Sequence, residues 1–321
     1  MPEIALPPFP QDVTAHALLV IDYELSATEL GFWYLKNHGA NPEADGMFEM
    51  RAATMKPSME EKLAARKNAT DEHGNLDTVE FINISKDDGL AYPKPVHRTY
   101  PSTTLRVRKS LEINNTVLSI FEKKLGLPPG VLLNLHALSD PSGSEARCIK
   151  NSPKYVDGGA ETNKNAKSDN VTFGAHKDFG SLSISHNRLE GLQVPPLGSL
   201  DWQYVRIILD YAICNVGDTL TLPFGGILRS NLHRVAAHTR WSVVFFTRPG
   251  NEVHLHPLTN KSNAIKATVS RMFPEERAKY EPDATAIEWF ARRIRNQRIK
   301  NRTGPETWRA SRGMEHKPEI I

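Results

Sequence analysis

A chain of 321 residues, 39% of them hydrophobic, can bury a sizeable core as one large domain or two small ones. Its 40 basic and 37 acidic side chains nearly balance at a net charge of +3, so no long single-sign field marks it as a nucleic-acid binder. Two cysteines, Cys148 and Cys214, are too few for a disulfide framework or a cysteine-based zinc site, and no apolar run reaches the roughly 18 residues that would span a bilayer. The Pro-rich start lacks a basic stretch ahead of an apolar one, so no signal peptide is expected and the protein reads as soluble and cytoplasmic.

In chain order, Asp12 or Thr14 is a suitable N-cap, and Leu18, Leu19, Leu25 and Leu30 share one apolar face, which predicts a helix ending at Gly31. Phe32 to Leu35 reads as a short strand closed by a turn at Asn37, His38 and Gly39. Residues 43–66 read as helix again, broken at Pro57. Residues 67–102 are polar and Pro-dotted around a β-like piece from Thr78 to Ile84. The clearest helix of this half spans 105–126, with Leu111, Val117, Leu118, Phe121 and Leu125 on related faces, and Gly126 and Pro128 stop it.

After about residue 145 the texture changes to short β-branched and aromatic runs between Gly, Asn and Pro turns. Strands are predicted at Arg147 to Lys150, Val171 to Ala175, Leu182 to His186, Leu192 to Val194, Tyr204 to Leu209, Ala212 to Val216, Thr219 to Leu222 and Ser242 to Thr247. Residues 262–302 return to helix, and 303–321 read as a loose tail. The expected fold class is mainly β with flanking helices, built around a jelly roll. It forms a single unit over 1–321: a mixed helical region over 1–144, a jelly-roll core over 145–260, and a C-terminal helix and tail over 261–321.

Chemistry concentrates in the strand-rich region. Side chains at i and i+2 of a strand share a face, so His176 and Asp178 can aim at one point. His233, following the strand-like stretch before it, is the best third ligand. Two histidines and one carboxylate suit non-haem Fe(II) that keeps open positions for substrate and O2. A lone histidine is more often structural; the strand-rich setting favours the metal. Arg240 and Ser242 again share a strand face, and a buried guanidinium beside a hydroxyl can clamp a carboxylate. Taken alone, that arginine fits a surface ion pair better.

Several motifs in sequence resemble the isopenicillin-N-synthase-like branch of the Fe(II)/2-oxoglutarate-dependent dioxygenases, particularly fungal members of secondary metabolism. They are Gly31 to Gly39, Phe81 to Asp88, Gly174 to Ser181, Gly191 to Val194, Asn215 to Asp218, Asn231 to Val235 and Arg240 to Ser242. The resemblance implies a double-stranded β-helix (jelly roll), with His176, Asp178 and His233 as iron ligands and Arg240 and Ser242 holding the distal carboxylate of 2-oxoglutarate. It implies Fe(II) as cofactor, 2-oxoglutarate and O2 as co-substrates, and a small-molecule substrate oxidised after iron-centred hydrogen abstraction. The outcome is hydroxylation, desaturation, or ring expansion or cyclisation. Neither a membrane nor a nucleic acid is expected as partner, and oligomeric state is not legible.

Departures from the pattern mark further candidates. Lys150 and Asn151 stand where the family often carries two tyrosines, and one of them is a candidate contact to substrate or co-substrate. Strand alternation from His176 places His186 on the ligand face, and Asn231 lies two residues before His233. For both, a structural role is the simpler reading. His238, His254 and His256 read as surface histidines. The run Arg292, Arg293, Arg295, Arg298, Lys300 and Arg302 reads as a solvated helix face rather than a nucleic-acid contact, with Trp289, Phe290 and Ile294 supplying an apolar side. Two alternatives stay open: an Fe(II) oxidase of the same fold that uses no 2-oxoglutarate, and a jelly-roll binding protein without catalysis.

Overall fold

The computed structural model describes residues 15–16, 24–54, 80–89, 101–151, 171–196, 199, 201–236 and 240–297. Eleven strands among them form two sheets. One sheet contains β1 (Ala15–His16), β8 (Gln203–Val205), β7 (Leu192–Val194), β10 (His233–Ala236) and β5 (Val171–His176), in that order. The other contains β2 (Phe32–Leu35), β9 (Ala212–Val216), β6 (Leu182–Asn187), β11 (Arg240–Thr247), β4 (Glu145–Asn151) and β3 (Glu80–Ser85). Apart from β1 against β8, every pairing is antiparallel, as a jelly roll requires.

Period-two alternation sorts the second sheet into two faces. On β11, Arg240, Ser242, Val244 and Phe246 face a cavity between the sheets. Val243 and Phe245 point the other way, into a core with Met47, Phe48, Val107 and Leu111. Those four belong to α1 (Asn41–Thr54) and α3 (Pro101–Lys124), which pack together over the outer face; α2 (Lys86–Gly89) is a single turn between them. Between the sheets, Phe32, Tyr34, Val194, Val205 and Ile213 form a second apolar cluster. A third gathers Leu118, Phe121 and Leu132 of α3 and α4 (Val131–Leu135) against Leu182, Ile184 and Cys214. Among the described residues no helix is long and apolar enough to cross a membrane.

Several expectations are corrected. Ala15 and His16 pair with Tyr204 and Val205 as a strand rather than opening a helix, and Glu24–Leu30 winds as a π-helix before Gly31. Tyr204 to Leu209 leaves the sheet after Val205. Thr219 to Leu222, β-like in composition, lies instead in a helical turn, α5 (Asp218–Thr221), and the run-on at Leu222. The N–H groups of its first two residues turn back onto carbonyls of the turn after β5, with Asp218 bonded to Asp178 at 2.9 Å and Thr219 to Gly180 at 3.2 Å; those bonds outweigh β-propensity. His233–Ala236 is a strand that composition did not reveal. The C-terminal helix is three pieces: α6 (Asn263–Ser270), α7 (Pro274–Arg277) and α8 (Ala286–Gln297). Pro274 and Pro282, with Asp283 at φ 45°, interrupt it. Pro57, Arg298, Lys300, Arg302, His238 and residues 303–321 lie outside the described residues.

One close approach joins the turn after β5 to the end of β9. A Cβ on Gly217 would lie 2.1 Å from the carbonyl oxygen of Gly180 and 3.1 Å from that of Asp178. Gly217→Ala therefore forces backbone apart in a packed interior. It is expected to lower the unfolding free energy by about 3 kcal/mol, measured by urea denaturation.

Candidate metal centre

His176 closes β5 and His233 opens β10, and the two are cross-strand partners. Their rings stand 4.2 Å apart between centroids. Asp178 follows in the turn that leaves this sheet for the other. Its Oδ1 lies 3.9 Å from His176 Nε2 and 3.6 Å from His233 Nε2, and one donor atom from each residue falls within 4.8 Å of the others. The other carboxylate oxygen, Oδ2, is already used: it accepts from the Ser183 hydroxyl at 2.5 Å and from Asn215 Nδ2 at 2.7 Å. Asp178 therefore offers Oδ1 alone in a fixed direction. Burial by itself would raise its pKa; His233, His176 and the two hydrogen bonds outweigh burial and hold it below the usual value. Two imidazole nitrogens and one carboxylate oxygen on one side of a point are a donor set for a divalent ion such as Fe(II).

The turn carrying Asp178 is braced from four directions. Ser181 N–H donates to Thr247 C=O at 2.7 Å, and Gly217 N–H donates to Ser181 C=O at 2.9 Å. His136, beyond α4, donates Nδ1–H to Leu132 C=O at 2.8 Å, so its Nε2 accepts from the Ser181 hydroxyl at 2.7 Å. Burial pushes the His136 pKa down to about 4, which keeps that arrangement neutral. Below the turn, Arg293 of α8 forms a buried ion pair with Asp218 at 3.1 Å, while its guanidinium lies over the rings of Phe179 and Trp289. The expected solvated arginine face is corrected at this residue: Arg293 is only 2% exposed.

Arg240 and Ser242 face the same cavity as the three ligands. Arg240 is 3% exposed and donates Nη2–H to Asn187 Oδ1 at 2.8 Å. Its Nε and Nη1 are buried without a hydrogen-bond partner among the described residues. Burial lowers its pKa to about 10, so it stays cationic at neutral pH. A buried cation with two unused donors beside a hydroxyl fits a carboxylate, whose charge and lone pairs match both.

The remaining candidates behave differently. Lys150 faces the opposite side of β4, with Nζ 5.3 Å from the centre of the Trp241 ring. Asn151 stands opposite Arg240 in the β4–β11 register; its side chain is outside the described residues. His186 is corrected outright, because it points away from the cavity toward Arg106 and His38. Parity counted from His176 does not survive the turn between sheets, and Ser183, Ser185 and Asn187 face the cavity instead. Asn231 is a backbone brace: its Oδ1 accepts from Leu232 N–H at 2.9 Å, and Nδ2 reaches Pro195 C=O at 3.5 Å. His254 and His256 are exposed, as expected.

Sequence reasoning passed over Ser183, Asn215 and His136 as supports of the site. Asn215 sits in a quoted motif, and Ser183 follows from alternation once β6 is counted by itself. It also passed over Arg147 and Arg248, which line the cavity with Phe81, Phe246, Phe290 and Ile294. Alternation onward from Ser242 reaches Phe246 and Arg248.

Residues 155–249 match the sequence profile of the 2OG-Fe(II) oxygenase superfamily. The chain resembles that superfamily over this stretch. It is 32% identical over 176 residues to a 2-oxoglutarate-dependent dioxygenase of Aspergillus fumigatus, covering 47% of this chain and 44% of that protein. The matched stretch thus spans about half the length of such curated relatives. A 2OG-Fe(II) oxygenase family protein from Caulobacter crescentus superposes with a TM-score of 0.62 at 19% identity, over 86% of this chain and 92% of that one. A full-length Neurospora crassa protein crystallised in complex with α-ketoglutarate superposes with a TM-score of 0.61 at 19% identity, over 82% and 86%. These two likenesses establish the jelly-roll fold.

The Asn215 amide orients Asp178 without reaching the donor point itself. Asn215→Leu is expected to weaken Fe(II) or Co(II) binding by about 10- to 100-fold, read by metal titration, with the fold retained by circular dichroism.

Proposed function

We propose that this protein is an Fe(II)- and 2-oxoglutarate-dependent oxygenase acting on a small organic acid. His176, Asp178 and His233 hold the iron, and Arg240 with Ser242 holds the distal carboxylate of 2-oxoglutarate. The observation that carries this reading is Arg240: a buried guanidinium with two donors unpartnered among the described residues, in one cavity with a three-residue set of metal-type donors. Iron, when bound with the keto acid, supplies O2 activation and hydrogen abstraction from a C–H bond. The chain's own residues fix the ligand oxygen of Asp178, anchor the keto acid, and keep bulk water from the reacting atoms.

The cavity measures about 220 Å³, which suits a small molecule rather than a polymer. Its outer walls combine aromatic rings with excess positive charge. Arg147 and Arg248 share one carboxylate, Glu145, at 2.5 and 3.4 Å. Arg147 lies over Phe81 and Phe246, and Arg248 lies 3.7 Å from the centre of the Phe290 ring. Two cations against one acid leave a site for an anionic group, and the rings favour a flat or aromatic body. The resemblance of the motifs to fungal members of secondary metabolism supports a place there; the oxidative outcome follows from the substrate's own geometry.

Adding Fe(II) and 2-oxoglutarate without oxygen is expected to give the weak visible charge-transfer band of the chelate in wild type and none in His176→Ala. No band in a protein that holds one iron would replace this reading with the oxidase that uses no 2-oxoglutarate. Arg240→Met is expected to raise KM for 2-oxoglutarate by about 100-fold, measured by succinate release. Arg248→Gln should leave that KM unchanged while lowering affinity for aromatic carboxylates, with cinnamate against cinnamide as the probe pair in calorimetry.

A further inference from the structure

The buried arginines of this protein differ in the company they keep. Arg293 pairs with the Asp218 carboxylate at 3.1 Å, and Arg248 pairs with Glu145 at 3.4 Å. Those acids raise the pKa of each arginine against the effect of burial. Behind the six-stranded sheet, Glu43 acts on Arg106 in the same sense. Arg240 is equally buried, yet burial is the sole influence on it, and no acidic side chain among the described residues opposes that effect. A buried charge without a counter-charge is costly, and proteins ordinarily pair it.

The group that holds Arg240 is an amide. Asn187 closes β6 and stands opposite Ser242 in the β6–β11 register, so the acceptor and the hydroxyl of the clamp share one level of the sheet. A guanidinium only donates, so the atom facing Arg240 Nη2 at 2.8 Å is the carbonyl oxygen Oδ1. Ser185, two residues earlier on the same strand face, donates its hydroxyl to that oxygen at 3.3 Å. The two contacts fix Oδ1 against the arginine and add no charge. Asn187, Ser185, Arg240 and Ser242 all line the cavity that holds the metal-type donors.

An aspartate has nearly the same shape as this asparagine and would accept the same two hydrogen bonds. It would also neutralise the guanidinium, closing a pair like that of Arg293 with Asp218. The two side chains therefore differ at this position by one unit of charge, in a place where charge is weakly screened. With the amide, Arg240 presents its full charge to whatever enters the cavity, and its Nε and Nη1 supply directed donors. With a carboxylate, an incoming anion would meet a neutral pair and a repelling oxygen.

We propose that Asn187 is the specificity-determining residue of the keto-acid clamp: as an uncharged acceptor it orients Arg240 while leaving the guanidinium charge to the distal carboxylate of the co-substrate. This inference rests on reading Arg240 and Ser242 as the 2-oxoglutarate clamp. The role of Asn187 is separate from theirs, because its neutrality decides that the end group admitted is anionic rather than apolar.

The test compares 2-oxoglutarate with 2-oxopentanoate, which has the same 2-oxo acid end and a methyl group in place of the distal carboxylate. Both are titrated by calorimetry into the full chain loaded with Co(II), so that no turnover occurs. Wild type is expected to prefer 2-oxoglutarate by about 100-fold. Asn187→Asp should keep the Tm of wild type or exceed it, bind 2-oxopentanoate as wild type does, and retain a preference of less than about fivefold. Asn187→Leu removes the acceptor without adding charge, and should hold the preference within about tenfold of wild type. A wild type that prefers neither acid overturns the 2-oxoglutarate reading, and the role of Asn187 with it. A preference that is present in wild type and survives in Asn187→Asp overturns the role of Asn187 alone. Collapse of the preference in Asn187→Leu also overturns that role, whether or not Asn187→Asp folds, because the hydrogen bond and not the charge would then do the selecting.

Discussion

The five residues from Lys177 to Ser181 carry the chain out of one sheet and into the other, and the candidate site depends on how they are held. Asp178 could not present a single oxygen to the histidines if its backbone were free to swing. It is not free: its carbonyl accepts from Asp218, and the carbonyls of Gly180 and Ser181 accept from Thr219 and Gly217. The contact of Gly217 with Gly180 allows the two segments to meet at backbone distance. The short helical turn at Asp218 is the geometry that delivers those N–H groups together. A precise donor set is thus built on a loop, the less rigid kind of element, by hydrogen-bonding the loop from outside.

The same turn explains what the sequence disclosed and what it hid. His176 and Asp178 were legible because local alternation holds over two residues. Arg240 and Ser242 were legible for the same reason, and strands β2, β6, β7 and β9 were legible because their apolar runs are bounded by turn residues. Alternation fails across a change of sheet, which is why His186 was placed on the wrong face. Thr219 to Leu222 has strand composition, yet Thr219 and the preceding Asp218 donate to carbonyls some forty residues earlier in sequence, and no local signal reports them. Asn231 lay close to a ligand in sequence and proved to satisfy backbone rather than the cavity. Arg293 looked like one of several solvated arginines, because only the fold places Asp218, Phe179 and Trp289 around it.

Arg293 also links two functions in one helix. α8 presents Phe290 and Ile294 to the cavity, while Arg293 on the same helix pairs with Asp218 beneath the turn that carries Asp178. Removing one member of such a buried pair strands the other charge, so the helix and the turn hold position together. The wall of the cavity is thereby indexed to the Asp178 carboxylate rather than laid on the molecule separately.

The two kinds of residue in this cavity occupy different places in the chain's history of possible change. The donor set and Arg240 sit on β5, β10 and β11 and on a turn held by buried hydrogen bonds, so most replacements there cost the fold itself. The mouth is assembled from the edge strand β3, the outward end of β11 and a terminal helix, where Phe81 and Ile294 are 51% and 41% exposed. Substitutions at those positions disturb little packing. Lineages carrying this scaffold can therefore diverge in what the cavity admits while inheriting one unaltered donor set, and duplicated copies can specialise without first passing through an unstable intermediate.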